Sequence, residues 1–196
     1  QGVIEKRSTL PILSNILLDA SGSKLKIIAT DLDLVFVNEI KNVEIIEEGK
    51  TTTVSSTLYD IIRKLPDGSE VKVELKELNV EVSAGKSKFI LPTLPVDDYP
   101  IMTDIEKGHE FSLQSIDLAN LIDNTKFAIS LEETRYYLNG IFLHVPNSDN
   151  QKLRAVATDG HRLAQAEIPL PEGASDMPGI ILPRKAVGEI RKLTDG

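Results

Sequence analysis

The stretch LKIIATDLDLVFVNEI (residues 25–40) returns later in the chain as LRAVATDGHRLAQAEI (residues 153–168). Leu, Ala-Thr-Asp and Glu-Ile coincide between the two stretches. VSSTLYDIIRKLPDG (54–68) and LPRKAVGEIRKLTDG (182–196) align at the same offset and share Ile-Arg-Lys-Leu and Asp-Gly. LPILSNILLDA resembles RYYLNGIFLHV and precedes the other blocks in the same order. Three matched blocks in one order indicate that the chain carries two copies of one fold.

Strands are expected to dominate each copy, because apolar and polar residues alternate over most of it. In the first copy ILSNILLDA, the turn SGS and KLKIIATD are typical of a hairpin, and LDLVFVNEI of a third strand. EVKVEL, NVEVSA and SKFILPT predict three more strands. The predicted fold class is therefore α+β, with helices on one side of an antiparallel sheet.

Two segments have the spacing of helices. TLYDIIRKL places Leu58, Ile61, Ile62 and Leu65 on one face and stops at the turn signal Pro66-Asp67-Gly68. EFSLQSIDLANLIDNTKFAIS, in the second copy, predicts a short strand followed by a helix that Ser115 or Asp117 caps. The first copy has no such segment, and the second stops at Asp195-Gly196, so we expect a piece of a larger repeating protein. The predicted domains are residues 1–106 and 107–196.

Composition limits the classes of protein that fit. Charged residues make up 27% of the 196 residues and the net charge is −8, which argues against a surface that binds nucleic acid over its whole extent. A small basic face on an acidic body is compatible with this charge. No apolar run reaches the ~20 residues of a membrane span, and QGVIEKRSTL lacks the apolar core of a signal peptide. A cytoplasmic location without membrane contact is the expectation.

The stretch Asp159-Gly160-His161-Arg162 has the composition of a catalytic or metal-binding loop. The chain has no cysteine, H-E-x-x-H, G-x-S-x-G, P-loop or dinucleotide motif, so a hydrolase centred on Asp159 and His161 is the weaker hypothesis. The Thr30–Asp33 stretch, which contains two Asp residues, is expected to have a structural or turn role. The second copy replaces Leu-Asp-Leu with Gly-His-Arg, which favours a local binding pocket.

Basic residues cluster near the predicted helix ends and in the opening loop. They fit either a solvated helix face, with cations favoured at helix C-termini, or a basic surface built from equivalent helices of successive repeats. The cluster comprises Arg63, Lys64, Arg184, Lys185, Arg191 and Lys192, together with Lys6 and Arg7.

TLPILSNILL, ATDLDL, IIRKLPDG, FILPTLPVDDYP, RYYLNGIF and ATDGHRLA, in this order, closely resemble the bacterial DNA polymerase III beta subunit, the sliding clamp. The resemblance covers nearly the whole chain, with most of the first domain and part of the second of three. It implies a DNA-clamp fold with helices on the inner face of a ring. It also implies a processivity factor that encircles duplex DNA independently of sequence, without a catalytic site, a metal or a cofactor.

The resemblance assigns roles to individual residues. It places Lys6, Arg7, Arg63, Lys64, Arg135, Tyr136, Tyr137, Arg191 and Lys192 toward DNA. It gives the strand matching KSKFIL to the edge of a homodimer ring, with Lys86 and Lys88 as ionic contacts and Phe89 and Leu91 as apolar ones. A peptide pocket for partner motifs would contain Leu138, Thr158, Gly160, His161, Arg162 and Leu163.

The implied partners are double-stranded DNA, the alpha subunit of DNA polymerase III, the clamp loader and other proteins with clamp-binding motifs. The main alternative is an interaction module with the clamp fold that does not encircle DNA. Such a module would lack a basic inner face.

Overall fold

The computed structural model of the chain describes residues 10–100, 108–132 and 134–194. The chain separates into two compact units, Gln1–Thr103 and Asp104–Gly196. The boundary expected between residues 106 and 107 lies outside the described residues. Each unit is an antiparallel α+β structure, as the sequence predicts.

Two antiparallel sheets and one helix form the described part of the first unit. The first sheet has the order β3-β2-β1-β4 and the second the order β5-β6-β7. The elements are β1 (Asn15–Ser21), β2 (Lys24–Thr30), β3 (Val35–Lys41), β4 (Gly49–Val54), α1 (Ser55–Lys64), β5 (Lys72–Lys76), β6 (Asn79–Ala84) and β7 (Ser87–Pro92).

The apolar face of α1 joins the two sheets of this unit. Leu58 packs against Ile16 and Leu18 of the first sheet and also belongs to the cluster around Val80 and Val82 of the second. Ile61 is buried in that second cluster. Ile62, predicted on the same face, is 43% exposed. The helical period therefore predicted the buried face of α1 correctly, except that it wrongly included Ile62.

A buried threonine connects the first sheet to the chain that follows β7. Thr52 Oγ1 donates to the carbonyl of Leu94 at 2.8 Å and accepts from its N–H at 2.9 Å. Asn15 Nδ2 donates to the same hydroxyl at 3.1 Å. These bonds satisfy polar groups that burial would otherwise leave without water, and so fix the position of the segment.

The second unit repeats the first sheet of the first unit. Its strand order, β10-β9-β8-β11, is the order β3-β2-β1-β4 transferred through the sequence alignment. This agreement confirms the prediction of two copies of one fold. The elements are α2 (Ser115–Asp123), β8 (Gly140–His144), β9 (Lys152–Thr158), β10 (Leu163–Pro169), β11 (Ile180–Pro183) and α3 (Arg184–Leu193).

Two helices cover the second sheet on one face. Leu121 and Ile122 of α2 and Val187 of α3 lie in one cluster with Leu153 and Ala155 of β9. Arg191 Nε, on α3, donates to Asp123 Oδ2, on α2, at 2.9 Å and joins the exposed sides of the two helices. The antiparallel sheet with helices on one face is the arrangement that the sequence predicts.

The start of α2 differs from its prediction. Its N-cap is Gln114, without a side-chain capping bond, so neither Ser115 nor Asp117 caps the helix. Residues 110–113 form no strand. Phe111 and Leu113 instead pack against the core of this unit, which explains their alternation without strand pairing.

The candidate partner turn and basic helix ends

A tight turn, Thr158–Arg162, joins β9 to β10 and is held by its own side chains. It contains four of the residues predicted to contact partner peptides and is called the partner turn. Asp159 Oδ1 accepts from the backbone N–H groups of His161 and Arg162, both at 3.0 Å. Thr158 Oγ1 donates to the carbonyl of Arg162 at 2.7 Å and accepts from Gly160 N–H at 3.1 Å. Gly160 has φ +89°, a conformation that glycine adopts without steric cost.

The first copy has the same turn between β2 and β3. Asp31 Oδ1 accepts from the N–H groups of Asp33 at 3.1 Å and Leu34 at 2.7 Å, and Thr30 Oγ1 accepts from Leu32 N–H at 3.1 Å. The turn role predicted for the Thr30–Asp33 stretch is confirmed. The strands predicted from KLKIIATD and LDLVFVNEI extend too far into this stretch, because β2 ends at Thr30 and β3 begins at Val35. The shared Thr-Asp pair is scaffold in both copies.

One difference between the two turns is the residue at positive φ. Leu32 has φ 80° in the first copy, where the second copy has Gly160, and a left-handed conformation costs a non-glycine residue about 1–2 kcal/mol. Leu32 is 51% exposed, so little packing compensates this strain.

We expect Gly160→Ala to lower the free energy of unfolding by about 1 kcal/mol and Leu32→Gly to raise it slightly. Urea denaturation of both variants measures this, and equal signs would contradict it.

Asp159 has the electrostatics of a structural carboxylate. The backbone N–H groups of His161 and Arg162 lower its pKa to about 2, with a further bond from Arg162 Nε to Oδ2 at 3.0 Å. A carboxylate with this pKa is ionised at neutral pH and is a poor proton acceptor. Its acceptor capacity is also used within the turn. This arrangement argues against the hydrolase hypothesis.

The pKa of Asp159 predicts a pH dependence of stability. Because its folded-state pKa of about 2 lies below the ordinary value of 3.8, the ionised group stabilises the fold above pH 3.8. That contribution is lost as the pH falls through 2. We expect Asp159→Asn to lower the melting temperature at neutral pH, and calorimetry from neutral pH to pH 2 should show the gap closing below about pH 4. Asp176→Asn, at an exposed loop carboxylate, is the control, and a constant gap for Asp159→Asn would contradict the assignment.

The six residues expected to form a peptide pocket lie on the turn and on two neighbouring segments. Leu163, 65% exposed, begins β10, and Leu138 ends a 3-10 turn, Tyr136–Leu138, where it is half-buried. A Cβ at Gly160 would lie 3.4 Å from Arg135 Nη1, so the Arg135 side chain lies beside the turn. The structure thus exposes apolar surface and polar donors at this end of the second unit.

Sequence reasoning missed Phe127 as part of this site. Its ring lies under the Arg162 guanidinium, with Cζ 5.7 Å from the ring centroid. The only signal in the sequence was an aromatic residue just after the predicted α2 helix, which gives no indication of its distant neighbour.

The predicted DNA-facing residues within the described part lie mainly at helix ends and are mostly paired with acids. Arg63 and Lys64 end α1, and Arg63 Nη2 lies 3.3 Å from Asp60 Oδ1. Lys192 Nζ, near the end of α3, lies 2.7 Å from Glu189 Oε1. Cations in the last helical turn are favoured by the helix dipole, so this placement also suits a solvated face. Lys6 and Arg7 lie outside the described residues.

Arg135, Tyr136 and Tyr137 stand together before β8. Arg135 Nε lies 3.0 Å from Glu132 Oε2. The two tyrosine rings meet edge to face at 5.6 Å, and both are exposed. Exposed aromatic and basic groups side by side suit stacking and phosphate contact.

The strand predicted to form a dimer edge is β7, which lies at one edge of its described sheet. Lys88 Nζ lies 2.8 Å from Glu81 Oε2, and Phe89 is 36% exposed. Leu91 contradicts its prediction, because it is only 1% exposed and packs with Val80, its partner across the strands. Ile90, at 66%, is more exposed than Phe89 and adds apolar surface to β7.

Two further results concern other classes of site. Among the described residues, no group of three or more His, Cys, Asp or Glu side chains is placed to hold a metal ion. The helices in the same part of the chain are too short or too polar to cross a membrane.

Repetition of one α+β domain, with the residues of the same turn varied between copies, is typical of a protein assembled from similar domains. Family models agree with this class. The DNA polymerase III beta subunit N-terminal domain matches residues 1–103, and the central domain of the same subunit matches residues 112–196. The chain belongs to the DNA polymerase III beta subunit family.

Individual relatives show the same similarity. The beta sliding clamp of Caulobacter vibrioides (strain NA1000 / CB15N) is 48% identical over 198 residues, covering 100% of this chain and 53% of the relative. That of Escherichia coli (strain K12) is 37% identical over 195 residues, covering 100% and 52%. The chain therefore spans about half the length of the curated relatives it matches.

Solved structures match at the level of the fold. Caulobacter crescentus pol III beta superposes with a TM-score of 0.94 at 49% identity, covering 100% of this chain and 53% of that one. A DnaN sliding clamp from Bartonella birtlesii bound to griselimycin superposes with a TM-score of 0.92 at 48% identity, covering 98% and 52%. These likenesses confirm the predicted clamp fold.

Proposed function

We propose that the whole protein is a DNA sliding clamp, a processivity factor that encircles duplex DNA and tethers the replicative polymerase. The observation that carries the proposal is the repeat itself. Equivalent helices, α1 and α3, end in the equivalent basic pairs Arg63-Lys64 and Arg191-Lys192. Successive copies of such a domain can line a ring with weak positive charge, while the net charge of −8 keeps the remaining surface acidic.

Ion pairing fits the needs of sliding. Arg63, Arg191 and Lys192 each have an acidic neighbour, which weakens their attraction for phosphate without removing their charge. Binding by such groups is weak, salt-dependent and independent of base sequence, because phosphates carry no sequence information. A clamp that moves along DNA requires this kind of contact.

The proposal includes protein partners and a location. The edge of β7, with Lys88, Phe89 and Ile90, and Lys86 in the turn before it, would pair with a second subunit to close a homodimer ring. The turn around Gly160 and His161 would receive peptide motifs from the alpha subunit of DNA polymerase III, the clamp loader and other clamp-binding proteins. The protein would act in the cytoplasm as an accessory subunit without a catalytic site or cofactor.

Removing the helix-end charges tests the DNA-binding proposal. In Arg63→Ala/Lys64→Ala/Arg191→Ala/Lys192→Ala, we expect weaker binding of a labelled duplex at low salt, by a similar factor for any base sequence. The slope of log affinity against log salt should fall by about one unit for each phosphate that the variant no longer neutralises. Fluorescence anisotropy over a salt series measures both quantities.

A matched control removes four positive charges from strands instead. Lys24→Ala/Lys26→Ala/Lys50→Ala/Lys72→Ala changes the net charge equally but should leave the salt slope near that of the unmodified chain. Equal losses in the two variants would contradict a localised DNA surface. That outcome would favour an interaction module with the clamp fold, whose helix ends are only solvated.

A further inference from the structure

Phe127 presents a half-exposed ring beside the partner turn from a fixed support. It lies in a 3-10 turn, Lys126–Ala128, just after α2, and is 56% exposed. Thr125 and Ala128, on either side, are completely buried, and Thr125 Oγ1 donates to the carbonyl of Leu121 at 2.6 Å. Because both flanks are anchored in the core, the ring has a defined position despite its exposure.

The Arg162 guanidinium is held between this ring and a carboxylate. Arg162 Cζ lies 5.7 Å from the Phe127 ring centroid, within the range of a cation–π interaction. On its other side, Nε donates to Asp159 Oδ2 at 3.0 Å. A long side chain that is 60% exposed would ordinarily sample many rotamers, whereas these two contacts select one orientation.

We infer that Phe127 is a positioning residue of the partner turn, which orders Arg162 for contact with a bound peptide. In the described contacts Asp159 engages Nε, so the two Nη groups are the donors that a peptide would meet. Ordering them before binding reduces the entropy cost of association. The inference rests on the proposed peptide-binding function of this turn.

The charge of the site indicates the chemistry of its ligand. Asp159 neutralises Arg162, so the pair offers N–H donors without net positive charge. The next residue, Leu163, is 65% exposed and offers apolar surface. The site therefore suits a segment with apolar side chains and neutral carbonyl acceptors better than an acidic one. The first copy has Leu34 at the position of Arg162, so its turn has no arginine at this position.

Two substitutions separate the aromatic face from apolar bulk. Phe127→Leu keeps an apolar side chain but removes the ring, whereas Phe127→Tyr keeps the ring as a matched control. Nuclear magnetic resonance of the full chain reports Arg162 directly, since protons over an aromatic face shift upfield. Titration with griselimycin, the compound bound to the Bartonella birtlesii clamp, reports affinity, and its effect on the Arg162 signals shows whether it binds at the turn. Circular dichroism checks folding.

We expect Phe127→Leu to lose the upfield shift of the Arg162 side-chain protons and to bind griselimycin roughly two- to fivefold more weakly. Phe127→Tyr should retain both properties. Unchanged Arg162 shifts in Phe127→Leu would overturn the positioning role. Altered shifts with unchanged affinity would overturn its contribution to recognition. Failure of griselimycin to shift the Arg162 signals of the unmodified chain would contradict the proposed pocket, while the Phe127→Leu shifts still decide the positioning.

Discussion

Leu153→Ala should lower the free energy of unfolding of the second unit by about 2–5 kcal/mol. Leu153 is completely buried in β9, within the cluster that α2, α3 and the sheet share. The substitution removes apolar packing from the centre of that cluster and leaves a cavity that the surrounding sheet and helices fill only partly. Amide hydrogen exchange measured over a series of denaturant concentrations gives the loss of stability in this unit separately from the other.

Leu163→Ala is the matched control for this prediction. It makes the same chemical change in the neighbouring strand, β10, but at a side chain that is 65% exposed. We expect a change within about 0.5 kcal/mol. Similar destabilisation in both variants would contradict the assignment of the core.

Gly140→Ala should destabilise the pairing of β8 with β11 by about 1–3 kcal/mol or more. A Cβ at this position would lie 2.3 Å from the Leu182 carbonyl oxygen and 2.8 Å from Ile181 Cγ2. The first of these atoms belongs to the backbone of β11, so the strand itself must move. We expect a lower melting temperature and faster hydrogen exchange at the β11 amides.

Gly188→Ala provides the opposite case. This glycine lies within α3, where an added Cβ has no heavy atom within 4 Å. Alanine should therefore stabilise the helix by about 0.5–1 kcal/mol. Equal effects of the two alanine substitutions would mean that close strand packing does not explain the requirement at Gly140.

The sequence predicts local structure well where a single pattern, such as a repeat or an alternation of apolar and polar residues, determines that structure. The repeat predicted two copies, and alternation predicted the hairpin that β1 and β2 form. Neither pattern contains the order of strands in a sheet, because strand order depends on pairing between distant residues. The identical orders of the two sheets became visible only in the structure.

Two site residues show the limit of such reasoning. Alternation correctly puts Phe89 and Leu91 on one face of β7, but it cannot say whether that face is covered. Val80 and Val82 lie on the same face, and Ile61 of α1 packs against it, so Leu91 is buried while Phe89, nearer the start of the strand, remains partly exposed. Phe127 was missed for a related reason, since its contact with Arg162 joins residues that are distant in sequence.

In the Thr-Asp turn, the residues that stabilise the loop are different from the residues that vary between the two copies. In both copies the hydroxyl and carboxylate of the first two residues accept from backbone N–H groups of the loop, so these bonds form whichever side chains follow. One copy carries Leu-Asp-Leu and the other Gly-His-Arg on the same frame. A chain of such domains can therefore evolve different exposed side chains on the same turn of each copy. The main loss of folding free energy would then come from strain at the one residue with positive φ.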